Sequence, residues 1–125
     1  MNHPSDRTVR AYVETKIRTA PPALLVDELL QACLRRVEDL QLALHSMSVE
    51  EQTVAAEAAL EILSVLNDGL DEPLSSFGQA LRSLYAECAC GLVRGCLRRD
   101  AAQLDEVQGI LSELRGAWIM TLPQG

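Results

Sequence analysis

Four cysteines, two histidines and a cluster of arginines are the residues of this chain whose types could do chemistry. Cys88, Cys90 and Cys96 lie close together in sequence. Two thiolates two positions apart would have to share one ion, but on a helix such residues point about 200° apart, so Cys88 and Cys90 cannot chelate together. Cys33 and Cys88 instead fall on apolar stripes and read as small core hydrophobes, with Cys90 and Cys96 more exposed. His3 lies near the start of the chain and His45 at a helix end, and neither has a carboxylate three residues before it. The Glu-x-x-His pairs of a helical di-metal site are therefore missing. No glycine-rich phosphate loop and no Gly-x-Ser-x-Gly elbow is present. Arg94, Arg98 and Arg99 gather where a helix should end, and the negative pole of that helix accounts for them. The inventory points away from an enzyme and from a bound metal or cofactor.

What must position these residues is helical. Apolar residues make up 48% of the 125 residues and aromatic residues only 3%, so Leu, Ala and Val have to fill the interior. That composition suits helix-on-helix packing, and the length suits one domain. The net charge of −7 is uneven, because residues 1–22 carry a net +2 and the remainder −9. An acidic body lacks the basic footprint that a phosphate backbone needs, so nucleic acid is not an expected partner. No apolar stretch is long enough to span a membrane and no secretory leader is recognisable, so a cytoplasmic protein with reduced cysteines is expected.

Four helices follow from periodicity. Pro21-Pro22 opens the first, which runs to about Ser46 with Val26, Leu29, Leu30, Cys33, Val37, Leu40 and Leu44 on one stripe. Ser48-Val49-Glu50-Glu51 predicts a capping box for the second, and Asn67-Asp68-Gly69 its stop, with Gly69 left-handed. Asp71-Glu72-Pro73 should open the third, with Leu74, Phe77, Leu81, Leu84, Cys88 and Leu92 inside and Tyr85 at the stripe's edge, its hydroxyl in water. Asp100 should cap the fourth, which carries Leu104, Val107, Leu111, Leu114 and Trp118 and ends at Thr121 to Pro123. The expected fold class is all-α: an antiparallel up-down four-helix bundle over residues 19–122, preceded by a short arm or helix at residues 1–18.

One stretch of the chain adds a pattern to this physics. Leu84-Tyr85, Arg98-Arg99-Asp100, Leu104-Asp105-Glu106-Val107 and Leu111-Ser112-Glu113-Leu114-Arg115-Gly116-Ala117-Trp118 follow one another in an order that resembles the FliS-type flagellin export chaperones. Upstream, Tyr12 and Thr19-Ala20-Pro21-Pro22 with Leu25 and Leu29 fit the same pattern. The likeness extends over about residues 12–118. It departs where the family's serine cap is Pro21, where its Leu-Tyr-Asp-Gly is Leu29-Leu30-Gln31-Ala32, and where its Ala-Asn is Gly95-Cys96.

The resemblance implies binding without catalysis. It implies a cytosolic chaperone that holds the C-terminal segment of flagellin in apolar grooves, prevents premature polymerisation and delivers it to the flagellar type III export apparatus. The segment would wrap the bundle and become partly helical, a coupled folding and binding event. The partners it implies are that flagellin segment and the export gate, with the chaperone itself a monomer or homodimer. The residues expected to touch a partner are Tyr12, Leu25, Leu30, Leu34, Tyr85, Gly95, Cys96 and Ile110. The competing expectation is a non-enzymatic helical-bundle adaptor or regulator that binds a different protein. The +2 arm could cover a groove on the acidic body until a partner displaces it.

Overall fold

A computed structural model describes residues 22–46, 48–70 and 73–121. Among these residues there are four helices: α1 (Pro22–Ser46), α2 (Val49–Asp68), α3 (Ser76–Arg98) and α4 (Ala101–Thr121). The expected arm at residues 1–18, with His3 and Tyr12, lies outside the described residues.

The helix boundaries show which polar side chains win. Ser48 sits in an extended conformation and its Oγ accepts from the Glu51 amide at 3.2 Å. The reciprocal half of the capping box is not made, because the Ser46 hydroxyl accepts from the Ser48 amide at 3.4 Å and stands 3.4 Å from Glu51 Oε2. Gly69 has φ −80°, so the expected left-handed stop is corrected. An ordinary right-handed turn closes α2, with the Gly69 amide donating to Val65 O at 3.1 Å and the Leu70 amide to Asn67 O at 3.2 Å. The start of α3 also moves. Ser75 is its cap, with Oγ accepting from the Gly78 amide at 3.0 Å, and Pro73 stays outside the helix. A side-chain acceptor placed three residues before the amide it serves outweighs a proline that only tolerates a first turn. Asp71 and Glu72 lie outside the described residues. Asp100 caps α4 as expected, its Oδ1 accepting from the Ala102 and Gln103 amides at 3.1 and 3.3 Å.

The left-handed residue is Arg99, at φ 53° and ψ 44°. It closes α3 through its amide on Cys96 O and carries a guanidinium that donates to Leu44 O at 3.0 Å. One side chain thereby caps the end of α1 from the turn between α3 and α4, satisfying a carbonyl the helix itself leaves open.

Cross-helix contacts of α1 run in opposite order along both of its neighbours. Trp118 Nε1 donates to Ala23 O at 2.8 Å, Arg115 Nε to Asp27 Oδ1 at 2.9 Å, and Gln41 Nε2 to Asp105 Oδ1 and Gln108 Oε1 at 2.8 and 2.9 Å, so α1 and α4 are antiparallel. Gln52 reaching Ala43 O and the Cys33 thiol reaching Ala59 O establish the same for α1 and α2. Each helix packs on its chain neighbour and α4 returns to α1, leaving α1 and α3 on the diagonal. The fold is thus the antiparallel up-down four-helix bundle the periodicity predicts. Its centre is Leu30, Val37, Leu40, Ile62, Leu92, Leu104, Val107 and Leu111, all essentially without exposure.

The core stripe of α3 differs from expectation at two positions, each shifted by one residue. Phe77 is 61% exposed and Leu84 only part-buried, whereas Tyr85 is 4% exposed. The buried set is Gly78, Leu81, Tyr85, Cys88, Gly91, Leu92 and Gly95, which contains an unbroken run of three- and four-residue steps from Gly78 through Tyr85 and Leu92 to Gly95. Phe77 and Leu84 each precede a member of that run and so sit about 100° off it. Counting glycine as a packing residue recovers the correct stripe.

Candidate protein-interaction groove

Helix α3 treats its two neighbours differently. Towards α4 it presents Gly91 and Gly95. A Cβ on Gly91 would stand 2.6 Å from Val107 Cγ2, and one on Gly95 would stand 2.6 Å from Leu104 Cδ2 and 2.9 Å from its Cγ. Two glycines four residues apart let α4 seat its side chains directly on the α3 backbone, and the seam closes.

Towards α2 the seam stays open. A cleft of about 270 Å³ is lined by Leu60, Leu63, Ser64 and Asn67 of α2 and by Arg82, Tyr85, Ala86 and Ala89 of α3. Ala86 and Ala89 line it with methyl groups alone, Ala86 exposed and Ala89 part-buried against the core. The same flank continues past the cleft. Val93 and Leu97 follow Ala89 at one-turn steps and are 42% and 79% exposed, and Val49, at the facing start of α2, is 69% exposed. Together these residues make a strip of apolar surface along the α2–α3 seam, a feature that marks interaction sites when it is contiguous. Arg82 is the one ionic side chain on the cleft wall.

Electrostatics keep the floor of the seam neutral. Burial pushes the Tyr85 phenol from 10.0 up to about 12, with Cys88 beside it adding to the shift. Burial likewise raises the Cys88 thiol to about 11, helped by Glu87, and the Cys33 thiol to about 12, helped by Cys88. Cys33 and Cys88 are therefore protonated core residues, as expected, and poor nucleophiles. Asn67 contributes the one polar irregularity: its Oδ1 is buried and finds no hydrogen-bond partner among the described residues.

A second cleft, of about 660 Å³, lies on the other side of α2 against the end of α1. Its wall is charged, with Arg36, Asp39, Glu50 and Glu51 around Leu42 and Val54. Arg36 and Asp39 pair with each other at 3.5 Å with both side chains solvated. Among the described residues no group of three His, Cys, Asp or Glu side chains is placed to hold a metal ion. No described helix is long and apolar enough to cross a membrane.

The residues expected to touch a partner do not form one surface. Leu30 is fully buried and Gly95 is buried under Leu104, so both are core positions in this arrangement. Tyr85 is likewise in the core rather than at its edge, although its side chain lines the α2–α3 cleft. Leu25, Leu34, Cys96 and Ile110 are part-buried and packed against the core. Leu34 precedes Gln41 by two turns on the α1–α4 side, and Ile110 follows Gln103 by two turns on the α3 side of α4. Tyr12 lies outside the described residues. The groove residues missing from that expectation are Leu60, Asn67, Ala86, Ala89, Val93 and Leu97. Their signal is the charge-free flank of α3 between Arg82 and Arg94, opposite Glu87, which carries Ala86, Ala89, Cys90 and Val93 at helical spacing.

The bundle leaves a seam lined by leucine and alanine partly open between α2 and α3, a shape that can take a polypeptide segment. Comparison with known proteins gives the bundle its family. The model of the flagellar protein FliS family matches residues 5–125, so the chain belongs to the FliS family. It is 29% identical over 122 residues to the flagellar secretion chaperone FliS of Salmonella typhimurium, covering 93% of this chain and 90% of that one. It is 27% identical over 107 residues to the flagellar secretion chaperone FliSB of Pseudomonas aeruginosa, covering 85% of each. It is 25% identical over 108 residues to the flagellar secretion chaperone FliS of Bacillus subtilis, covering 86% of this chain and 80% of that one.

Proposed function

We propose that this protein is a cytoplasmic flagellar export chaperone, without enzymatic activity, that holds the C-terminal segment of flagellin. Bound in this way, the segment cannot polymerise, and the complex delivers it to the flagellar type III export apparatus. Membership of the FliS family and relatives named as flagellar secretion chaperones support the class. The observation that carries the binding site is the open α2–α3 seam, whose walls are Leu60, Ala86, Ala89 and the neighbouring Val93 and Leu97.

The physics of such a site is simple. A segment that is unstructured alone pays its ordering entropy on binding, so affinity must come from apolar area covered in the groove. Val49, Val93 and Leu97 are the side chains with the most to gain, because they are solvated in the free protein. Helix α3 packs closely on α4 at Gly91 and Gly95, and the groove is present in the free protein. A preformed site loses less affinity to its own ordering.

The test is titration calorimetry of the whole protein with full-length flagellin and with flagellin lacking its C-terminal segment. The proposal expects binding to the first and none to the second. Equal binding to both, or binding only to a different exported flagellar protein, overturns it.

A further inference from the structure

Arg99 holds a conformation that its residue type does not favour. Among the described residues it is the one non-glycine residue with positive φ, at φ 53° and ψ 44°. It closes α3 at the place where glycine is the ordinary choice. The turn around it is fully bonded. The Arg99 amide donates to Cys96 O at 3.4 Å and the Asp100 amide to Gly95 O at 2.9 Å, while Asp100 Oδ1 caps α4. A glycine at this position could make the same backbone bonds without strain. What it could not supply is the guanidinium.

That guanidinium donates to Leu44 O in the last turn of α1 at 3.0 Å. Because α1 and α3 lie on the diagonal of the bundle, the bond spans the end of the molecule. Two other side chains hold the same end of α1. Ser46 Oγ donates to Ala43 O at 3.0 Å, and Gln52 Nε2 donates to the same carbonyl at 3.4 Å, which ties the end of α1 to the start of α2. Of these three side chains, Arg99 alone comes from the α3–α4 half. It is a strut between the two halves, made by a charged donor, the stronger kind of hydrogen bond.

The strut stands at the open end of the α2–α3 seam. Val49 begins α2 and Leu97 lies in the last turn of α3, one on each wall, and both are exposed. Whatever fixes the end of α1 and the start of α2 against the end of α3 also fixes the gap between these two side chains. We infer that Arg99 is a positioning residue for partner binding, whose guanidinium on Leu44 O sets the separation of Val49 and Leu97 across the seam. This rests on the reading of flagellin's C-terminal segment as the partner. The backbone strain at Arg99 is retained for the strut and not for the turn, as strained residues at functional sites are.

Arg99→Gly tests this, because it relieves the strain and removes the strut together. The variant should melt within about 2 °C of the natural protein, since the two changes offset each other. Electron-spin distance measurements, with nitroxides on unnatural amino acids at positions 49 and 97 of the free protein, should give a broader distribution in Arg99→Gly. The Kd of the unlabelled variant for the flagellin C-terminal segment should rise about three- to tenfold. Arg99→Lys, which keeps a charged donor, should narrow the distribution again and recover most of the affinity. An unchanged distance distribution in Arg99→Gly, or a binding loss that accompanies a melting temperature lowered well beyond that margin, overturns the inference and leaves the flagellin reading intact. A loss that Arg99→Lys does not recover does the same. If the natural protein does not bind the segment, the flagellin reading falls instead, and the distance measurement alone decides the strut.

Discussion

The two flanks of α3 use small residues to opposite ends. On the α4 flank, Gly91 and Gly95 remove the Cβ atoms that would meet Val107 and Leu104, and the helices touch. On the α2 flank, Ala86 and Ala89 keep their Cβ atoms but reach no further, and a cleft remains. One methyl group per position separates a sealed seam from an open one. Small residues in a bundle therefore do not define function by type. What matters is whether the facing helix advances into the space they leave.

Substitutions that move a flank from one state to the other test this contrast, and the largest effect should come from the open side. Ala86→Glu puts a carboxylate on the exposed wall of the cleft, where a bound segment would desolvate it. The affinity for the flagellin C-terminal segment should fall on the order of 100-fold, a loss of hot-spot size. Thermal unfolding should stay within about 0.5 kcal/mol of the natural protein, as at other exposed positions. On the closed side the effects reverse. Gly95→Ala should cost about 1–2 kcal/mol of stability in denaturant unfolding, because overpacking against fully buried Leu104 exceeds the gain in helix propensity.

Alkaline unfolding separates the core beneath both flanks from the surface. Cys33, Cys88 and Tyr85 have raised pKa values of about 12, about 11 and about 12 in the folded protein, against ordinary values of 9.0, 9.0 and 10.0. The unfolded chain therefore releases these protons first. Stability should be flat up to about pH 9 and then decline as pH rises towards the folded values. Tyr85→Phe should make that decline shallower in a pH series of thermal melts. A smaller effect of opposite sign comes from Gly109 in α4, where an added Cβ would meet nothing within 4 Å. Gly109→Ala should raise stability by about 0.5–1 kcal/mol, from helix propensity alone.

The bundle itself was legible in the sequence because its period, caps and connections agree. Ser48 and Asp100 announce helix starts with side chains that the structure uses, and the stripes of α1, α2 and α4 are aliphatic. The misreadings of the α3 stripe share one cause. Phe77 and Leu84 look like core by hydrophobicity, while Gly78, Gly91 and Gly95 do not, so a count of apolar side chains drifted off the stripe that backbone contact defines. Tyr85, Leu30 and Gly95 are partner positions only on the strength of the family resemblance, and a motif along one helix does not say which side its neighbour takes; in the structure all three are buried. The groove is a property of two helices at once. Ala86, Ala89 and Asn67 acquire meaning only when Leu60 and Leu63 are known to face them. The order of motifs from Leu84 to Trp118 pointed to the family, and the structure shows that most of those residues build the bundle instead of lining its open seam.

The most direct test of the account is photo-crosslinking of the whole chaperone to flagellin, with a benzophenone amino acid placed singly at Val93, on the α2–α3 strip, or at Leu42, on the charged cleft between α1 and α2. Both positions are exposed, at 42% and 67%, so neither probe disturbs the core. Adducts from Val93 should form and map to the C-terminal segment of flagellin, and none should form from Leu42. Adducts from Leu42 with none from Val93 would contradict that placement.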